Sequence, residues 1–267
     1  MSSTDKEALM TLPKKKFKFW NLIWVIIFIA GLFVSTDVTN TNLGTLFANF
    51  SQFTDIFSQM LHPDWSYLGP VMPLLLETIK MAILGTVIGS VLAFIYSLLI
   101  ARNIIKNKAV TGVLRLIMNI IRTVPDLLLG AIFVAIVGIG PVAGILALAI
   151  CTFGIVVKLF YEAIETIDPG PIEALTAVGA NKLQIIVFAV LPQVITYFIS
   201  YCLYAFEINV RASTVLGYIG AGGIGLYLQQ TLQVFDYAKT GTIILVIIVV
   251  VVLIDYVSSK SREALMK

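Results

Sequence analysis

Residues 168–192 read DPGPIEALTAVGANKLQIIVFAVLP and lie between two long apolar segments of the chain. Pro171 suits the first turn of a helix, where its missing N–H leaves no hydrogen bond unmade. Gly179 can end that helix, and Asn181 followed by Gln184 is the pattern of a capping box that begins another helix. The stretch therefore predicts two short helices joined by a tight turn.

The first of these helices is predicted to carry an apolar face. Ile172, Leu175 and Val178 recur every three residues, which places them on one side of a helix. A compact helix pair with such a stripe is typical of a segment that docks into the groove of a partner protein.

The composition of the chain indicates that these helices adjoin a membrane. Of the 267 residues, 59% are hydrophobic and 12% are charged, and the mean hydropathy is +0.98. Soluble domains carry about 25% charged residues. So few charges cannot cover a soluble domain of this size, and we expect the excess apolar surface to face lipid.

Six apolar runs are long enough to cross a bilayer, which needs about 20 helical residues per span. They cover residues 19–35, 72–101, 110–137, 141–160, 194–216 and 241–257. The sequence therefore predicts an all-α membrane protein with about six transmembrane helices. A secretory signal is the alternative for the first run, but no small-x-small cleavage pattern follows it, which favours an uncleaved anchor.

The distribution of Lys and Arg predicts the orientation, since short cytoplasmic loops carry the basic excess. Basic residues concentrate in the tail 1–18, between the second and third runs and in the tail 259–267, and Lys158 and Lys182 are assigned to the connection between the fourth and fifth runs. The connection 36–71 has no Lys or Arg, as an external loop should. Both termini are therefore predicted to be cytoplasmic, and residues 72–258 to form a five-helix core.

The stretch GAGGIG, residues 220–225, fits the G-x-G-x-x-G pattern of dinucleotide-binding loops. That pattern requires a preceding β-strand in a soluble βαβ unit, whereas an apolar helical run precedes it here. We instead predict a partly inserted turn that ends the fifth span, with a short helix over residues 226–234. A flexible external loop is the alternative.

Oppositely charged residues fall inside the predicted spans at helical spacing: Glu77 with Lys80, Arg122 with Asp126, and Glu207 with Arg211. Each costs about 2.5–3.5 kcal/mol in lipid on insertion scales, so such groups rarely face it. They could line a pathway or a subunit seam, or they could be neutralised pairs that lock helices together. Pro125 lies within the second pair and predicts a break in the third span.

Candidates for a substrate pathway or gate are Glu77, Arg122, Pro125, Glu207, Asn209, Arg211, Gly220, Gly222, Gly223 and Gly225. The sequence offers no catalytic group and no metal site. His62 is the single histidine, and Cys151 and Cys202 each lie in an apolar run, where small packing residues are expected.

Residues 168–192 resemble the cytoplasmic motif of permeases in ATP-driven importers, written EAA, three residues, Gly, nine residues, I-x-L-P. The matching positions are Glu173, Ala174, Gly179, Leu191 and Pro192. Leu175 and Ala189 depart from the motif but remain apolar. The phrases YAFEINVRASTVLGYIGAGGIG, RTVPDLLLGAIFV and DPGPIEAL look like the phosphonate branch of this family, and the resemblance covers roughly residues 72–258.

This resemblance implies a type I ATP-binding-cassette (ABC) importer permease fold with a methionine-permease-like core, in the bacterial inner membrane. It implies a second permease subunit (an identical copy or a sister chain), a cytoplasmic ATPase dimer and an extracytoplasmic binding protein, with no nucleic acid. Glu173, Ala174, Leu175, Gly179, Leu191 and Pro192 would form the coupling segment that docks on the ATPase.

The chain has no G-x-x-x-x-G-K-[ST] phosphate loop, so ATP and Mg²⁺ are expected on the partner ATPase, and we expect neither enzyme activity nor a cofactor in this chain. Phosphonate or a related phosphorus oxyanion is the expected substrate. Methionine or another small solute is the alternative, and an ion-coupled secondary transporter is a further one.

Overall fold

The computed structural model describes residues 19–39, 44 and 48–265, and every regular element in these ranges is helical. The described chain divides into two units, residues 1–55 and 56–267. In the first unit, helix α1 covers Phe19–Val38 and is followed by the start of α2, Phe50–Met60. The predicted external loop 36–71 therefore contains a helix, together with a short 3₁₀ turn at Trp65–Tyr67.

The second unit carries the remaining helices, whose bounds follow in chain order. They are α3 (Leu68–Ile100), α4 (Lys108–Thr123), α5 (Asp126–Val137), α6 (Pro141–Glu165), α7 (Gly170–Ala177), α8 (Lys182–Ile185), α9 (Leu191–Tyr218), α10 (Ile224–Gln233) and α11 (Tyr237–Leu265). A π-helical segment, Ile186–Val190, joins α8 to α9.

The all-α prediction is confirmed, but the number of continuous spans is lower than six. Within the described residues, four helical segments are long and apolar enough to cross a membrane: Trp65–Ile100, Pro141–Glu165, Lys182–Tyr218 and Tyr237–Leu265. The predicted third span, 110–137, is wrong as one helix, because α4 and α5 meet at an angle of 86°. The apolar part of α1, Leu22–Val38, is at the short end of the length that spans a bilayer.

Helices α3 and α6 form the centre of the second unit and run in the same direction. Gly85 packs on Leu148, and four residues later Gly89 packs on Thr152; a Cβ on either glycine would lie 2.6 Å from the Cβ of its partner. Small residues four apart let two membrane helices approach closely, where dispersion and not water drives association. Since α3 and α6 are parallel, the α4–α5 pair that connects them in sequence must return the chain to the end of the bundle at which α3 begins.

The helix start, the turn and the capping box predicted within residues 168–192 are confirmed. Pro171 lies in the first turn of α7, and Gly179 follows the helix with φ +82°. The capping box is complete, because Gln184 N–H donates to Asn181 Oδ1 at 2.9 Å and Asn181 N–H donates to Gln184 Oε1 at 2.8 Å.

The sequence had suggested that the second short helix is separate from the fifth span, but the two are continuous. Helical backbone continues from α8 through the π-helical segment into α9, with Leu191 N–H donating to the carbonyl of Ile186, five residues back. Pro192 lies in the first turn of α9, where its missing N–H is tolerated. Motion of α8 would therefore pass directly into α9.

The predicted C-terminal tail 259–267 also differs from the structure. Residues up to Leu265 belong to α11, and Ser258 Oγ donates to the carbonyl of Leu203 on α9 at 3.2 Å. Continued contact with α9 explains why the helix does not end with its apolar run.

Candidate functional site

The glycine-rich turn between α9 and α10 is buried and tied to α3. Its positive φ angles are those of Gly220 (+92°), Gly222 (+84°) and Gly223 (+74°). Gly223 N–H donates to Glu77 Oε1 at 3.1 Å, and Ile224 N–H donates to Thr78 Oγ1 at 2.8 Å. These α3 side chains occupy the start of α10, where a pyrophosphate would have to bind. The structure therefore leaves no space for a dinucleotide at this turn.

The same turn meets three helices at short range. A Cβ on Gly222 would lie 2.9 Å from both Glu77 Oε1 and Pro141 N, and one on Gly225 would lie 2.9 Å from Gly217 Cα. Residues 220–225 are all buried. The predicted turn with a short helix behind it is present and buried, so the chain does not form a flexible external loop here. Its insertion in the membrane stays a prediction.

A four-residue charge cluster joins α9 to α11. Glu207 pairs with Arg211 on its own helix and, through Oε2, with Arg262 Nη2 at 3.0 Å. Arg211 Nη2 also lies 3.6 Å from Asp255 Oδ1. The expected Glu207–Arg211 pair is present, and two carboxylates balance two guanidinium groups, so the cluster is neutral overall.

Sequence reasoning missed Asp255 and Arg262, because it placed one in a span without a partner and the other in a tail. Their separation of seven residues puts them on the same face of α11, which is the signal that could have found them.

Asn209 is a buried link among three helices. Its Nδ2 donates to Thr152 Oγ1 at 2.6 Å and to Thr86 Oγ1 at 2.8 Å, and the residue is 1% exposed. The amide nitrogen of Asn209 is thus used between helices, and a role for Asn209 in a pathway stays a prediction.

The break between α4 and α5 separates Arg122 from Asp126. The helix ends because Val124 and Pro125 are extended, with ψ of 121° and 143°, as the residue before a proline favours. The expected pairing of Arg122 with Asp126 on one helix face is therefore wrong, and neither residue forms an ion pair within the described ranges. Asp126 Oδ1 instead accepts from Cys151 Sγ at 3.2 Å.

A second charge contact, which the sequence did not indicate, lies at the end of α6. Glu165 accepts from Arg115 on α4 and from Arg102 N–H at 2.7 Å. Arg115 also donates to the carbonyl of Ile100 at 2.9 Å, and its guanidinium lies 4.5 Å from the centre of the Tyr161 ring. Arg115 and Glu165 are 50 residues apart, and no local pattern connects them.

Helix α7 presents both a groove and an exposed surface. A cavity of about 460 Å³ lies between α7 and residues 103–106, lined in part by Asn103, Lys106, Ile172 and Glu173. Ile172 packs inward, whereas Val178 is 79% exposed. Only part of the predicted apolar stripe is thus available to a partner.

Comparison with known proteins shows the family to which the chain belongs. Residues 85–259 match the model of the family described as the binding-protein-dependent transport system inner membrane component. The chain belongs to this family. An inner membrane component of this kind is a transporter subunit, which agrees with the multi-pass helical architecture and with the expected absence of a catalytic role.

Several relatives of this inner membrane component are named for the substrate that they transport. The phosphite transport system permease protein PtxC of Stutzerimonas stutzeri is 40% identical over 220 residues, covering 82% of this chain and 80% of the relative. The putative phosphite transport system permease protein HtxC of the same organism is 36% identical over 237 residues, covering 89% and 84%. The phosphate-import permease protein PhnE of Mycolicibacterium smegmatis is 37% identical over 211 residues, covering 79% and 40%.

A solved structure shows the same fold. One chain of the inward-facing MetNI methionine ABC transporter superposes with a TM-score of 0.68 at 23% identity, covering 76% of this chain and 100% of that one. The predicted methionine-permease-like core is confirmed as a fold.

Proposed function

We propose that this inner membrane component is the permease subunit of an ATP-driven importer of phosphonate, phosphite or a related phosphorus oxyanion. The observation that carries this is the similarity to PtxC, which is 40% identical over about four-fifths of both chains. The methionine import permease MetP of Bacillus subtilis, at 31% identity over 45% of this chain, supports the methionine alternative less well.

The proposed partners follow from the architecture of such importers. A cytoplasmic ATPase dimer binds ATP and Mg²⁺, an extracytoplasmic binding protein delivers the substrate, and a second permease subunit, identical or a sister chain, completes the pathway. The tails 1–18 and 259–267, which carry several Lys and Arg residues, face the cytoplasm in this arrangement.

The coupling segment is proposed to be α7 with the turn and helix that follow it. Glu173 and Ala174 are exposed on α7, Gly179 ends that helix, and Leu191 and Pro192 lie where α9 begins. Leu175, at the third motif position, is half-buried. Because α8 is continuous with α9, closure of the ATPase dimer would move the helix that carries the charge cluster and the glycine turn.

The glycine turn is proposed to act at the gate. Glu77 on α3 holds Gly223 directly, so a shift of α9 against α3 must break or carry this contact. Such a two-state element can bias access to one side of the membrane or the other.

The test is uptake of radiolabelled phosphite by cells that lack and then regain this chain, together with co-purification of the ATPase. Glu173→Ala and Gly179→Trp should weaken ATPase recovery and uptake, since the first removes an exposed contact and the second forces a large side chain onto a φ of +82°. Glu263→Ala, an exposed carboxylate near the end of α11, is the matched control and should retain both. Unchanged assembly and uptake in the two coupling variants would refute the docking assignment.

A further inference from the structure

We propose that the break between α4 and α5 is a recognition site for a protonated phosphorus oxyanion. Arg122 donates to the charged oxygens of the ligand, and Asp126 accepts from its P–O–H group. The substrate class rests on the proposed function, whereas the site itself rests on the geometry of α4, α5 and α6.

Helix α6 holds both side chains in place at adjacent turns. The stem of Arg122 lies flat on Gly154, where a Cβ would be 2.7 Å from Arg122 Cγ. Asp126 is held by the thiol of Cys151, three residues earlier on α6. Cation and carboxylate thus lie on neighbouring turns of one helix face without forming an ion pair to each other.

The space between them is a small cavity. It has a volume of about 130 Å³, and its lining includes Arg122, Asp126, Cys151 and Gly154. A water molecule occupies about 30 Å³ in the liquid, so the cavity takes about four waters or one small tetrahedral oxyanion.

The position of the break indicates that it does not face lipid. Cys151 and Gly154 lie near the middle of the 25-residue α6, so the extended residues 124–125 lie near the middle of the span. Irregular backbone at that depth is tolerated only where it is buried in protein or lines a water-filled cavity. Arg122 and Asp126 are exposed in this chain, so their charged groups can be reached by a ligand.

The other membrane-level arginine on the candidate pathway is less suited to an anion. Arg211 already pairs with Glu207 and lies near Asp255, so its charge is neutralised within the protein. Arg122 forms no ion pair with any residue that the structure describes, which leaves its guanidinium donors for a ligand. Charge-assisted bonds from arginine to such oxyanions are among the strongest in proteins.

The carboxylate of Asp126 supplies specificity. Phosphoric-acid groups lose their second proton near pH 6, so phosphorus oxyanions present a monoanion with one P–O–H group as a minor fraction at neutrality that grows as the pH falls. Sulfate has no proton to donate there, and Asp126 would repel it. A site that pairs one guanidinium with one carboxylate therefore favours phosphorus oxyanions over sulfate, because sulfate leaves the carboxylate without a hydrogen-bond donor.

Equilibrium binding of radiolabelled phosphite to the full permease–ATPase complex in lipid nanodiscs, without binding protein, tests the site directly. Arg122→Gln should lower the affinity about tenfold or more, as expected when a charge-assisted hydrogen bond is lost. Asp126→Asn should raise competition by sulfate relative to competition by methylphosphonate, because an amide can donate to either anion. Lys158→Gln and Glu162→Gln, which dissolve an exposed ion pair on the same helix, should change neither quantity.

Two positioning variants separate geometry from charge. Gly154→Ala should displace the Arg122 stem and weaken phosphite binding while all charges remain. Cys151→Ser retains a donor to Asp126 and should preserve the preference for phosphite over sulfate, whereas Cys151→Ala should reduce it.

The outcomes distinguish this site from the proposed function. If wild-type complex imports phosphite but Arg122→Gln and Asp126→Asn bind phosphite and sulfate as wild type does, the site is wrong and the importer assignment stands. If wild-type complex imports no phosphorus oxyanion, the proposed function itself fails. The sulfate-to-methylphosphonate ratio does not depend on protein yield, so Asp126→Asn remains decisive even if Arg122→Gln folds poorly.

Discussion

Arg115 and Glu165 form an ion pair that fastens α4 to the last residue of α6, five residues before α7 begins. Their side chains are 16% and 25% exposed, and Arg115 also holds the last carbonyl of α3, that of Ile100. Three helices thus meet at the base of the segment proposed to receive force from the ATPase.

Breaking this pair should uncouple ATP hydrolysis from transport. Glu165→Gln or Arg115→Gln should cost on the order of 1–3 kcal/mol of stability, because the pair is mostly buried and hydrogen-bonded. We expect uptake per ATP hydrolysed to fall, measured together in proteoliposomes. The double variant Arg115→Glu with Glu165→Arg should recover part of the loss, and Lys158→Gln should behave as wild type; equal uptake per ATP in all four would rule out a coupling role.

The glycine turn predicts a contrast between two glycine-to-alanine changes. Gly223→Ala adds a Cβ against Thr78 at a φ of +74°, which should destabilise the protein by roughly 2–4 kcal/mol through overpacking and left-handed strain. Gly112→Ala, inside α4 with open space around it, should instead stabilise by about 1 kcal/mol. Thermal unfolding in detergent measures both, and the same sign for the two changes would contradict the packing described for the turn.

Local chemistry explains which features the sequence could predict. The Asn181–Gln184 capping box and the turn at Gly179 depend on residues within a few positions, so their pattern suffices. Pro125 located the break in the third span, but the 86° angle depends on how α5 packs on α6. The sequence placed Glu207 beside Arg211, yet the partners on α11 required knowledge of which helices adjoin.

The hydrogen bonds of Asn209 should be worth about 1–2 kcal/mol in total, since interhelical bonds in membranes average about 0.6 kcal/mol each. Asn209→Leu should lower the unfolding free energy by that amount, less any gain from the added apolar contact. Thr86→Val and Thr152→Val should each remove one hydrogen bond to Asn209. Each should therefore lower the unfolding free energy less in the Asn209→Leu variant than in the wild type. Full additivity of the three changes would show that the amide does not join these helices.

Asp236, between α10 and α11, predicts a small acid-side loss of stability. The Lys239 ammonium at 2.8 Å and the Lys239 N–H at 3.2 Å lower the pKa of the Asp236 carboxyl below its usual value. A lowered pKa in the folded state means that the contribution is present above the unfolded pKa and is lost as pH falls through the folded pKa. Asp236→Asn should remove that part of the pH profile of thermal unfolding, and added salt should shrink it because the pair is partly exposed.

In the charge cluster between α9 and α11, the stability cost of each substitution should follow the burial of the side chain and not the number of its contacts. The Glu207 side chain is 9% exposed and receives both arginines, so Glu207→Gln leaves two cations without a buried partner and should cost about 3–5 kcal/mol. Arg262→Gln should cost less than Glu207→Gln, because the Arg262 side chain is 20% exposed. Arg211→Gln should cost about 1 kcal/mol or less, because the Arg211 side chain is 48% exposed. Asp255→Asn should lie near the Arg211 value, because its pair with Arg211 is long and half in the open. Chemical unfolding of the four variants in one detergent gives the order directly. If Arg211→Gln costs as much as Glu207→Gln, the exposed half of the cluster is covered in the assembled transporter. Arg211, and not Arg262, would then contribute most of the α9–α11 contact energy.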